Sequence, residues 1–188
     1  RYQPAVAIFE DYNKGVLTES LIQQMLAVCK ENNIATAVDP KRKNFFSYKG
    51  ADIFKPNLKE VREGLNLIFD EINEDLLKKI HAELYNILEH RISLITLSEK
   101  GVFIQKGNFT KTIPSHIRNV ADVSGAGDTV IAVASLVYAA TKDIELAAQM
   151  ANIAGGLVVG KLGTATVSVA EIAAELDHPL AELRRVAR

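Results

Sequence analysis

Four short apolar runs constrain this chain more than any other feature: Ala5–Phe9 (AVAIF), Ile34–Val38 (IATAV), Ala51–Phe54 (ADIF) and Ile92–Leu97 (ISLITL). None keeps a strict polar–apolar alternation, so each reads as a strand covered on both faces. Segments with helical spacing lie between most of them. Thr18 is placed to cap a helix over Glu19–Lys30, where Leu21, Ile22, Met25, Leu26, Val28 and Cys29 recur at helical intervals. Asn57 is placed to cap a second helix from about Leu58, and Glu74–Glu89 carries Leu76, Leu77, Ile80, Leu84, Ile87 and Leu88 on one face. Strands alternating with helices predict an α/β fold with a mostly parallel sheet and helices on both faces.

After the fourth run the pattern changes. Val102–Gln105 and Phe109–Ile113 flank Lys106-Gly107-Asn108, which predicts a hairpin. Three helices are then expected, at about Ala126–Ala140, Ile144–Lys161 and Val169–Leu176, before a basic tail at 179–188. A chain of 188 residues suits one domain, here 1–178, or a large piece of one.

Composition excludes several classes. Lys+Arg is 22 and Asp+Glu 23, a net charge of −1, so no surplus of charge calls for nucleic acid or an anionic membrane. The longest apolar stretches, Thr129–Thr141 and Leu146–Gly160, are too short to span a bilayer. The single cysteine, Cys29, forms no internal disulfide and falls on the apolar face of its helix, as a core thiol would. A cytoplasmic setting is expected. His81, His90, His116 and His178 show no metal-ligand spacing, and the first two read as surface residues on or beside the Glu74–Glu89 helix. Phe45, Phe46 and Tyr48 read as a loop-packing cluster.

Ser124-Gly125-Ala126-Gly127-Asp128 is the most informative stretch for chemistry. Two glycines and an alanine leave bare backbone where an apolar helix begins. The first amides of a helix lack intrahelical partners and carry partial positive charge, so such a turn can hold a phosphate. Asp128, in the first turn, could hold Mg²⁺ or accept a proton from an attacking hydroxyl. The same pentapeptide also fits a tight turn with an ordinary helix-stabilising Asp. It is neither a P-loop, since no Gly-Lys-Ser/Thr follows, nor a dinucleotide fingerprint, since the GxGxxG spacing is absent.

Ligands of open α/β sheets bind beyond the carboxyl ends of the strands. The polar residues there are Asp11 and Lys14, Asp39 and Lys41, Asn57 and Glu60, and Thr96 and Ser98 followed by Gly101. Carboxylates and lysines at one edge suit Mg²⁺ and phosphate. Singly, each also suits a helix cap or a solvated loop.

Several segments together resemble the ribokinase-like (PfkB) carbohydrate kinases. DVSGAGDT at 122–129 is similar to that family's DTxGAGD signature, with Val123 where Thr is usual. Lys55-Pro56-Asn57-Leu58-Lys59-Glu60 resembles its (N/K/T)PNxxE segment. Thr96–Gly101 resembles its TxGxxG stretch, with Ser98 replacing the first glycine. Ala151-Asn152 with Gly160–Thr164 resembles the late segment beside the adenine. Within the family, Asp11–Gly15, Val38–Lys41 and Val158–Thr164 resemble the heptose-phosphate kinase branch.

The resemblance implies a ribokinase-like three-layer sandwich and an ATP-dependent transferase. The acceptor it implies is C1 of D-glycero-D-manno-heptose 7-phosphate, on the route to ADP-heptose and lipopolysaccharide. It makes Asp128 the catalytic base and Gly125, Ala126 and Gly127 the anion hole. Asn57 and Glu60 would place Mg²⁺ and the phosphates, and Thr96, Ser98, Gly101, Asn152 and Gly163 would line the ATP site. Asp11, Lys14 and Lys41 would contact the phosphorylated sugar, and Asp122 and Ser124 would bear on a monovalent-cation loop. A homodimer and a fused or partner nucleotidyltransferase also follow from it. Family members carry an N-terminal segment with a small β lid and most sugar contacts. Its Gly-Gly and Asp/Asn motifs have no counterpart in these residues, so the chain alone is expected to bind nucleotide yet turn over sugar poorly or not at all. The same chemistry on ribose, a nucleoside or fructose phosphate is the alternative, as is a non-catalytic nucleotide-binding fragment.

Overall fold

The computed structural model describes residues 3–115 and 120–176. The tail at 179–188, the boundary at 178, and His116 and His178 lie outside them. Six strands form one sheet in sequence order: β1 (Val6–Glu10), β2 (Ala35–Asp39), β3 (Ile53–Phe54), β4 (Ile92–Thr96), β5 (Val102–Lys106) and β6 (Phe109–Ile113). The first four run parallel and the last two are antiparallel, so the expected hairpin closes one side of the sheet.

The helices are α1 (Glu19–Glu31), α2 (Leu58–Gly64), α3 (Glu74–Leu88), α4 (Ala126–Thr141) and α5 (Ile144–Val159), and residues 169–176 are also helical. Neighbouring strand residues divide between two cores, as a pleated sheet requires. Phe9, Val38, Phe54, Ile95 and Phe103 pack with Ile22, Leu77, Ile80 and Leu84 of α1 and α3. Ala37, Ile53, Leu94, Val102 and Ile104 pack with Val130, Ile131, Ala134, Ala147 and Ala151 of α4 and α5. Three layers result, with the sheet in the middle.

Two expectations fail at one place. His81 and His90 are not surface residues: they are 7% and 0% exposed. His81 lies four residues after Leu77 and three before Leu84, on the inward face of α3. His81 Nδ1 is 2.8 Å and His90 Nε2 2.7 Å from the buried Ser93 hydroxyl of β4, while His90 Nδ1 is buried without a hydrogen-bond partner. Cys29 is buried, as its helical face predicts. Of the aromatic cluster, Phe45 and Tyr48 belong to the core while Phe46 is 42% exposed.

Helix capping separates one helix from the others. Thr18, Asn57, Asn73 and Asp143 accept hydrogen bonds from the first turns of α1, α2, α3 and α5. At α4 the capping position is Gly125, with φ 75°, and no side chain caps the helix. The left-handed backbone there suits glycine, and the bare turn leaves α4 open at its positive end.

Candidate functional site

The open end of α4 meets the carboxyl ends of the parallel strands. A cleft of about 450 Å³ forms between them. Thr96 at the end of β4, Asn57 after β3 and Lys41 after β2 line it, as do Ala126, Gly127 and Asp128 at the start of α4. Ser98, Gly101 and Asn152 complete this group. The structure therefore brings these nine candidate residues to one cavity.

Asn57 and Glu60 form a reciprocal cap. The Glu60 amide donates to Asn57 Oδ1 at 2.9 Å, and the Asn57 amide donates to Glu60 Oε2 at 2.8 Å. The other Glu60 oxygen accepts from Lys41 Nζ at 2.6 Å, and Lys41 also reaches Asp39 Oδ1 at 3.3 Å. Burial alone would lower the Lys41 pKa. The Glu60 hydrogen bond and the charges of Asp39 and Glu60 outweigh it, so the pKa is raised. Lys41 is thus fixed and cationic at the cleft wall.

Two of the lining residues that were not singled out from the sequence make polar contacts around the glycine turn. Lys55, the first residue after β3, is 2% exposed and its Nζ lies 3.1 Å from Asp39 Oδ2. A Cβ added at Gly127 would stand 3.6 Å from that same Nζ and from Asp39 Oδ2. The absent side chain at Gly127 therefore leaves a buried lysine against the glycine turn. Position offered a signal, since Lys55 directly follows a predicted strand at the ligand-binding edge; its pairing did not. The second is Tyr12, whose hydroxyl donates to Asp128 Oδ2 at 2.6 Å. Sequence gave no sign of a contact between residues 116 positions apart. Glu10, nearby on β1, has a raised pKa, first from burial and then from the charges of Asp128 and Asp39.

The other expected residues, Asn152 apart, lie outside this cleft. Asp11 is buried beneath the turn after β1, where it accepts from Asn44 Nδ2 at 2.8 Å and from the Tyr48 hydroxyl at 2.9 Å. Asp11 and Lys14 border a neighbouring cavity of about 640 Å³ along β1, and Tyr12 borders both cavities. Asp122 accepts from the Ser124 amide at 2.9 Å and the Gly163 amide at 3.2 Å, tying two loops together beside α4. The Ser124 hydrogen bonds, with those from Gly163 and Val123, hold its carboxyl below its ordinary pKa. Asn152, in α5, donates to the Pro114 carbonyl at 2.7 Å.

Among the described residues, no group of three or more His, Cys, Asp or Glu is arranged to hold a metal on its own. Magnesium bound with a nucleotide does not require one, since it takes one or two carboxylates and completes its shell with phosphate and water. No helix of the described residues is long and apolar enough to cross a membrane.

Comparison with known proteins gives a consistent answer. The profile described as pfkB family carbohydrate kinase matches residues 7–171. The bifunctional protein HldE of Sulfurimonas denitrificans is 42% identical over 165 residues, covering 88% of this chain and 34% of the relative. That of Syntrophotalea carbinolica is 38% identical over 176 residues, covering 92% and 35%. The chain thus spans about a third of the length of these curated relatives. Arabidopsis thaliana ribokinase, solved with ribose and ATP, superposes with a TM-score of 0.80 at 17% identity, over 92% of this chain and 55% of that one. Escherichia coli phosphofructokinase-2, solved in complex with potassium, gives 0.75 at 17% identity, over 86% and 53%.

Proposed function

The chain belongs to the pfkB family of carbohydrate kinases, and from that premise we propose that it forms the nucleotide-binding part of an ATP-dependent sugar kinase. The acceptor we propose is the C1 hydroxyl of D-glycero-D-manno-heptose 7-phosphate. The observation that carries the reading is the uncapped start of α4, where Ala126, Gly127 and Asp128, just after the capping Gly125, line the cleft with Lys41, Lys55, Asn57 and Thr96.

The terminal phosphate of ATP sits at the glycine turn. The Gly127 and Asp128 amides face the charge that develops on the moving phosphoryl group. Lys55, buried behind Gly127 and paired with Asp39, stands against the phosphate's place without occupying it. Asp128 orients the acceptor hydroxyl and takes its proton. A weak base suffices, because phosphoryl transfer is loose and the proton leaves late. Asn57 and Glu60 are the residues that would hold Mg²⁺, which when bound neutralises charge on the phosphates. Lys41 fixes Glu60 for that task. The Asp122–Ser124 loop, with its carboxylate held anionic, is the candidate for a monovalent cation. Lys14, bordering the second cavity, stands on the side we assign to the sugar, while Asp11, buried with both oxygens hydrogen-bonded, holds the turn there and is not offered as a sugar contact. The heptose assignment rests on the Asp11–Gly15, Val38–Lys41 and Val158–Thr164 segments and on the HldE relatives. Since those relatives are named bifunctional, a second, nucleotidyltransferase activity in the full-length protein belongs to the same proposal.

Asp128→Asn in the full-length protein should lower kcat by about 10²–10⁴-fold and leave ATP affinity unchanged. Near-normal turnover would remove Asp128 from the role of base. The acceptor is tested by ATP consumption across heptose 7-phosphate, ribose, nucleosides and fructose 6-phosphate. Preference for any sugar but the heptose overturns the substrate assignment and leaves the kinase reading standing.

A further inference from the structure

We propose that Tyr12 is a positioning residue for Asp128: its hydroxyl holds one oxygen of the carboxylate and leaves the other to meet the acceptor hydroxyl. This rests on the kinase reading above and adds a residue to it. The hydroxyl donates to Asp128 Oδ2 at 2.6 Å. A carboxylate offers about four acceptor positions on two oxygens, so one donor fixes its rotation without exhausting it. The donor is also neutral, and it orients the base without pairing its charge.

The surroundings separate this role from a packing role. Tyr12 is 53% exposed, so its ring is not a core element. The turn that carries it is held by other groups. Asp11 accepts from the Asn13 amide at 2.8 Å, from Asn44 Nδ2 at 2.8 Å and from the Tyr48 hydroxyl at 2.9 Å, while its own amide donates to the Asp39 carbonyl at 3.1 Å. The loop keeps its shape without the Tyr12 hydroxyl, and the contact that hydroxyl makes is with Asp128. Asp11 therefore acts as the anchor and Tyr12 as the arm. Tyr12 also forms part of the wall of both cavities, whereas Asp128 borders only the one assigned to nucleotide. An acceptor lodged along β1 meets the Tyr12 ring on its way to the base. The phenol stays protonated throughout any working range. Its pKa is pushed up to about 12, first by the hydrogen bond to Asp128, then by desolvation and by the charges of Asp128, Glu10 and Asp39.

The test uses the full-length protein with ATP and its accepted sugar. Tyr12→Phe should lower kcat about 10–100-fold with the Kd for ATP and the melting temperature unchanged. In an Asp128→Asn background the same change should alter the residual kcat by less than about twofold, because a group acting through Asp128 has nothing left to position. Independently of activity, the ultraviolet titration assigned to Tyr12 by difference from Tyr12→Phe should fall toward the ordinary tyrosine value in Asp128→Asn. Tyr12→Phe with wild-type kcat, while Asp128→Asn is impaired, overturns the positioning role and leaves the kinase reading intact. Effects that multiply in the double variant overturn it as well, since a merely structural role would be additive in free energy. Full turnover by Asp128→Asn, or no phosphoryl transfer by the wild-type protein to any sugar, overturns both.

Discussion

At Ser98 the backbone adopts φ 55°, a left-handed conformation at the start of the turn that leads from β4 to β5. The TxGxxG pattern that this stretch resembles has glycine there, and the angle supplies a reason: a Cβ in this region is strained by roughly 1 kcal/mol. Ser98→Gly should raise the unfolding free energy by about 0.5 kcal/mol, the relieved strain less the extra chain entropy of glycine. Three residues later the requirement is stricter. Gly101 has φ 95°, and a Cβ there would stand 2.0 Å from the Ile113 carbonyl oxygen and 2.6 Å from the Ser115 amide. Backbone cannot give way as a side-chain tip can. Gly101→Ala should cost about 2–5 kcal/mol, positive-φ strain plus overpacking. Urea unfolding of the two variants checks the pair: one midpoint rises slightly, the other falls steeply. A Gly101→Ala protein of wild-type stability would mean that the β4–β5 turn is not built as described.

The elements themselves were largely written in local patterns. The apolar runs became β1 to β4 with shifts of one or two residues, and Thr18 and Asn57 cap the helices they precede. Both signals act over a few residues, so a sequence displays them. The α3–β4 contact was misread because histidine was judged by its polarity rather than by its place on the helix. The Leu77–His81–Leu84 spacing puts the ring inward, but its partner, Ser93, belongs to a strand whose facing is settled only on packing. This contact carries a pH dependence. Burial lowers the pKa of both rings, and the His81 charge lowers that of His90 further, to about 4. Between about 4 and the ordinary value of 6.5 the unfolded chain binds a proton that the folded chain refuses. Stability is therefore complete above pH 6.5 and falls as pH drops toward 4, by on the order of 3 kcal/mol from His90. Denaturant unfolding from pH 7 to pH 4 should show that slope, and His90→Leu should flatten it. An unchanged slope in the variant would place the acid sensitivity elsewhere.

Across the molecule, local sequence says least where distant parts of the chain meet. Position after a strand could nominate Asn57, Thr96 and Lys41, because the carboxyl edge of a parallel sheet is implied by the element order. It could not pair Lys55 with Asp39 beneath Gly127, or carry the Tyr12 hydroxyl across to Asp128. Those contacts depend on how α4 settles over β1 and β2, which tertiary packing decides. The sheet's two outer strands show a further consequence of global arrangement. β6 places Lys111 between threonines, and that lysine pairs with Glu145 of α5, so this edge is guarded by charge. β1 reads VAIFE, with neither lysine nor proline, and Ile8 is 39% exposed beside the 640 Å³ cavity. Its outer backbone groups face no strand among the described residues. A parallel edge without lysine or proline, beside an open cavity, is a template for another strand. The 188-residue polypeptide, expressed by itself, should therefore self-associate in the micromolar range, its weight-average mass in sedimentation equilibrium rising with concentration. Ile8→Lys places a charge on that edge and should hold the polypeptide monomeric with little change in melting temperature. A wild-type polypeptide that stays monomeric, or an Ile8→Lys variant that associates as strongly, would show that β1 is not the adhesive surface.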